Sequence, residues 1–178
     1  MSLAATYAGL AFTRANVGYV HAIAHQFGGR YHTPHGLANA IMLPLVLKFS
    51  LPAAADRLAL LALRAKLGRA NEAEEVLAQK FIDAVEQLNR DLGIPTFLAA
   101  LKKSDIPQLA EAACREAHTG YPVPRYMTQA ECEDLIRQVL PPEAPKQAAE
   151  GPKKVAAGPK KAAAGAKKAP VRRTKKAA

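Results

Sequence analysis

Val17-Gly-Tyr-Val-His21-Ala-Ile-Ala-His25-Gln-Phe-Gly28-Gly29-Arg-Tyr-His32-Thr-Pro34-His35-Gly-Leu-Ala-Asn-Ala40 carries four of the chain's five histidines. Its punctuation reads as helix, stop, loop, helix. The paired glycines suit a left-handed helix end, so a first helix is expected from Ser2 to Gln26, with Gly9 and Gly18 as weak points. A loop from Arg30 to Pro34 then leads into an apolar helix from His35 to Phe49. Pro44 lies inside it and is expected to kink or shorten it, because proline removes a helical N–H and crowds the preceding turn.

The rest of the first 140 residues reads the same way. Pro52 opens a helix over 53–67, ended by Gly68. Asn71-Glu-Ala-Glu74 has the form of a capping box and starts an amphipathic helix with Val76, Leu77, Phe81, Val85 and Leu88 on one stripe, ending at Gly93. A short helix capped by Thr96 is expected after Pro95, and another from Pro107 to His118. Tyr121-Pro-Val-Pro-Arg125 must be extended, since each proline biases its predecessor away from the α region. Thr128-Gln-Ala-Glu131 is a second capping box, opening a last helix through Leu140. No alternation of strand period is sustained. The fold class expected is all-α, a bundle of about seven helices over residues 1–140.

From Pro141 the pattern changes. Pro152-Lys-Lys-Val-Ala-Ala-Gly158 and Pro159-Lys-Lys-Ala-Ala-Ala-Gly165 repeat without large apolar side chains, and alanine burial does not offset ordering entropy. Residues 141–178 are expected to form a disordered tail. They hold 11 Lys/Arg against Glu143 and Glu150, a charge of +9, whereas the whole chain is 25 minus 15, or +10. Residues 1–140 are therefore nearly neutral, and the basic character belongs to the tail.

Two cysteines, Cys114 and Cys132, fall in expected helices and read as buried apolar thiols in a reducing compartment. Met1 to Phe12 has no basic residue before its apolar run, so it makes a poor signal peptide. Leu37 to Leu47, interrupted by Asn39 and Pro44, is too short to cross a bilayer. A cytoplasmic protein without a membrane partner is expected.

His21 and His25 are four apart, so a helix places them on one face, one turn apart. His35, fixed by Pro34, stands where the chain enters the next helix, and three imidazoles so arranged can converge on one point. Imidazole suits Fe, Zn, Ni and Cu. An incidental histidine pair on a helix face gives the same spacing, and there is no Gly-x-Gly-x-x-Gly or Walker-type loop beside it.

The run from Ala11 to Ala40, with His21-Ala-Ile-Ala-His25 and Pro34-His35-Gly36 within it, resembles the signature of the iron-containing (group III) alcohol dehydrogenases. So do Ile41-Met-Leu-Pro44, Gly93-Ile-Pro-Thr96 and Leu109-Ala-Glu-Ala-Ala113, and the similarity covers about residues 3–140. The resemblance implies that residues 1–140 are the helical metal-binding domain of such an enzyme. It implies that His21 and His35 bind divalent iron, Fe(II), with Zn possible. His25 is implied to lie beside the nicotinamide and substrate, a catalytic and cofactor-binding residue rather than a ligand, although spacing alone would pair it with His21. The implied reaction is metal-assisted hydride transfer between an alcohol and an aldehyde or ketone, with NAD or NADP. Family members supply two more ligands in an Asp-x-x-x-His arrangement and a Gly-Gly-Gly-Ser-type phosphate turn in an N-terminal α/β domain. This sequence contains neither, so a partial enzyme is expected, with a separate dinucleotide-binding chain or a homo-oligomer as partner.

The tail resembles the lysine-rich tails of linker histones and histone-like bacterial proteins. Non-specific contact with DNA or RNA through counterion release is one reading of it, and a solvated tail with no dedicated partner is the other. It has no aromatic side chain for stacking on bases. The alternative function expected is a catalytically inactive remnant held on nucleic acid by this tail. His32 and His118 receive no role.

Overall fold

Asn16 and Gly18 break the first expected helix in two. Asn16 takes a left-handed conformation (φ 64°) and its side-chain oxygen accepts from the Val17 N–H at 2.9 Å, a local turn that asparagine tolerates. In this computed structural model, which describes residues 1–142, α1 is accordingly Ser2–Phe12 and α2 is Tyr19–Tyr31. The remaining helices are α3 (His35–Arg64), α4 (Glu74–Asp91), α5 (Ile106–His118) and α6 (Gln129–Arg137), with a single 3₁₀ turn at Lys103–Asp105. The described residues are all-helical, with no strand among them. Six α-helices replace the expected seven. The expected tail, 141–178, lies outside the described residues but for Pro141 and Pro142.

The glycine pair does not end α2. The helix runs on to Tyr31, and His32 supplies the left-handed cap (φ 54°), its N–H bonding the Gly28 carbonyl at 3.0 Å. Histidine is among the few non-glycine residues enriched at positive φ. Pro34 then serves as N-cap of α3.

Helix α3 runs through Pro44, where a kink or shortening was expected, and reaches Arg64 as two helical segments joined near Pro52, close to the boundary expected there. Proline at 44 leaves the Ala40 carbonyl without its helical donor. Asn89 of α4 fills that vacancy: its side-chain amide donates to the Ala40 carbonyl at 2.8 Å. The kink falls later, at Ala54 (φ −139°, ψ 16°), just after Pro52. By length and composition α3 suffices to cross a membrane. Here it is a core helix, with Ala38, Ile41, Met42 and Val46 buried.

The main core joins α2, α3, α5 and α6. Phe27, Ile23, Met42, Ile106, Met127 and Ile136 are fully buried in it, each contributing roughly 1.5–3 kcal/mol of burial. The α4 stripe is shifted from the one expected. Leu77, Ala78 and Ile82 are buried against α3, with Phe81 packed beside them, while Val76 and Leu88 face solvent. No helix forms after Pro95; the Leu98 N–H instead bonds the Val139 carbonyl at 2.8 Å, tying this segment to the end of α6. Cys114 and Cys132 are free and buried, and burial pushes both thiols up from their ordinary range.

Candidate metal centre

Two helices bring the three imidazoles together. His21 and His25 lie one turn apart on α2, and His35 is the first residue of α3. The tight connection between these helices folds His35 back beside the α2 face. Ring centroids are 5.2 Å apart for His21 and His35, 5.5 Å for His25 and His35, and 5.9 Å for His21 and His25. The His25 and His35 rings stack, their planes 20° apart.

Burial, and then the neighbouring His35 and His25 rings, hold the His21 imidazole below its ordinary pKa, against a smaller opposing pull from Glu116. His21 is thereby kept neutral, which is the form that ligates metals. His35 is steadied by Asn39, whose amide nitrogen lies 3.0 Å from His35 Nε2 and donates to the His35 carbonyl at 2.9 Å. The Asn39 side-chain oxygen is buried with no hydrogen-bond partner among the described residues, an acceptor left over at the edge of the cluster.

Two borderline nitrogen donors and a third imidazole fit a divalent transition metal in chemistry. They do not close a shell. Among the described residues, no group of three or more His, Cys, Asp or Glu side chains is disposed to hold a metal ion. The cluster is open to solvent, with the His25 side chain 41% exposed.

Glu116 of α5 is a part of this site that reading the sequence missed. Its Oε1 lies 2.7 Å from His25 Nδ1 and accepts from the Tyr121 hydroxyl at 2.7 Å, and its Oε2 accepts from the Gln26 amide at 3.0 Å. The available signal was its place beside the buried face of α5, next to Ala113 and Ala117. His32 and His118 stay outside the cluster. His32 caps α2, and His118 Nε2 pairs with the Tyr19 hydroxyl at 2.7 Å.

A family model described as Fe-containing alcohol dehydrogenase family, C-terminal, matches residues 1–140. The chain belongs to that family. This alcohol dehydrogenase family chain is 38% identical over 142 residues to 1,3-propanediol dehydrogenase of Citrobacter freundii, covering 78% of its own length and 36% of the relative's. It is 37% identical over 122 residues to lactaldehyde reductase of Escherichia coli (strain K12), covering 67% and 32%. A solved 1,3-propanediol oxidoreductase structure superposes with a TM-score of 0.69 at 38% identity, over 75% of this chain and 35% of that one. The chain spans about a third of the length of the relatives it matches.

Proposed function

We propose that residues 1–140 form the helical part of a metal-dependent alcohol dehydrogenase that interconverts a small alcohol and its aldehyde or ketone with NAD or NADP. His21 and His35 are the ligands this chain gives to a divalent metal, Fe(II) with Zn as a substitute, and His25 is the catalytic, nicotinamide-facing residue. The observation that carries the reading is the 5.2 Å approach of two rings from different helices, His21 and His35, with His25 stacked alongside. The metal, when bound, supplies Lewis-acid polarisation of the alcohol oxygen. The chain's own residues do the rest: His21 stays neutral through burial, His35 is steadied by Asn39, and His25 holds or passes the hydroxyl proton at Nε2.

The open face of the cluster supports a second element closing it and excluding water. We assign that element to a dinucleotide-binding α/β part bearing the remaining ligands, on this or another polypeptide. The substrate class follows that of the relatives, which act on a propanediol and a lactaldehyde. A cytoplasmic setting, a division near residue 140 and nucleic-acid contact through the basic tail complete the proposal.

Metal titration tests it. The full chain, titrated with Fe(II) or Zn(II) in a calorimeter, is expected to bind at least about tenfold more tightly than a His21→Ala/His35→Ala variant, since loss of even outer-shell support costs that much. Equal affinities would remove the metal role.

A further inference from the structure

We propose that Glu116 is the positioning residue for His25: its carboxylate holds the ring as the Nδ1–H tautomer and leaves Nε2 as the working nitrogen. The proposal deepens the reading of His25 as catalytic and rests on it for its purpose, though not for its geometry. A carboxylate is an acceptor only, so the 2.7 Å contact from His25 Nδ1 to Glu116 Oε1 requires the proton on Nδ1 whenever the imidazole is neutral. Nε2 makes no hydrogen bond among the described residues, and the ring it belongs to lies stacked on His35.

The carboxylate is not free to turn away. Tyr121 donates to the same oxygen at 2.7 Å, and the bond to Glu116 holds that phenol's pKa up, so it stays a donor. Gln26 donates to the other oxygen at 3.0 Å while also donating to the Ala22 carbonyl at 3.1 Å, which fixes its amide. Two donors, Gln26 of α2 and Tyr121 of the α5–α6 connection, thus aim one carboxylate at one ring nitrogen. A simple tie between α2 and α5 is already made by Gln26, with no need for the imidazole. Holding a histidine's far nitrogen by a carboxylate is the general means of fixing its tautomer and direction.

The test is a long-range proton–nitrogen correlation spectrum of the metal-free full chain, labelled with ¹⁵N-histidine, at mildly alkaline pH. His25 signals are assigned by their loss in His25→Asn. The wild type is expected to carry the His25 proton on Nδ1. Glu116→Ala is expected to lose that single tautomer, while Asp105→Asn, which loosens another contact between α2 and α5 away from the ring, keeps it and controls for general disruption. A wild-type proton on Nε2, or an unchanged Nδ1–H ring in a folded Glu116→Ala, overturns the proposal. The wild-type spectrum alone decides should the alanine variant not fold. No metal is present, so failed metal binding and a failed tautomer assignment are separate outcomes.

Discussion

At the head of α5, Asp105 accepts from Arg30 Nε at 3.1 Å and from the Tyr31 hydroxyl at 2.9 Å, joining the end of α2 to α5. Arg30 first, and then Tyr31, hold its carboxyl below the ordinary carboxylate range. A depressed native pKa stabilises the fold above the unfolded-state value of about 3.9, and that contribution disappears as pH falls through the native value. Asp105→Asn is therefore expected to melt at a lower temperature than wild type near neutral pH, with the gap closing in strong acid. Thermal melts at the two pH values check this, and equal melting temperatures at neutrality would refute it. At this scale the histidines were legible because spacing on one helix is a local property. Glu116 and Asn39 were not equally so. Glu116 reaches His25 across 91 residues of chain, a contact decided by how α5 docks on α2, and the Asn39 bond depends on the rotamer of His35.

Helix starts offer a contrast between two similar motifs. Thr128 and Glu131 form a complete capping box at α6, each side chain bonding the other's backbone N–H. The matching signal at Asn71 caps nothing, because α4 begins at Glu74 with Ala73 as N-cap, and Glu72 is drawn to the Arg69 N–H and the Lys80 ammonium instead. Thr128→Ala is expected to cost about 1 kcal/mol, a fall of roughly 3 °C in melting temperature for a domain of this size. Asn71→Ala is expected to leave the melt unchanged, and equal shifts in both would sink the distinction. Helix content and the prolyl segment before α6 followed from periodicity and turn chemistry. The continuity of α3 through Pro44 did not, because the donor that rescues it sits on α4 at Asn89. Nor did the α4 stripe, which is set by the side of α3 that packs against it.

Across the whole molecule, the near-neutral first 140 residues and the lysine-rich remainder invite separate chemistry. Deleting residues 141–178 removes 11 of 25 basic side chains and is expected to abolish retention on DNA at low salt. In the intact chain, affinity should fall on the order of a thousandfold between roughly 50 and 200 mM salt when about six phosphates are neutralised. Binding that survives deletion, or ignores salt, would count against the tail as the contact. The two cysteines carry a consequence of another kind. Cys114 Sγ sits against the Met127 carbonyl and Cys132 is wholly enclosed, so neither sulfur presents thiolate to an oxidant or alkylating reagent while the helices remain docked. Chemical ageing at these two thiols is thus limited by how often the bundle breathes.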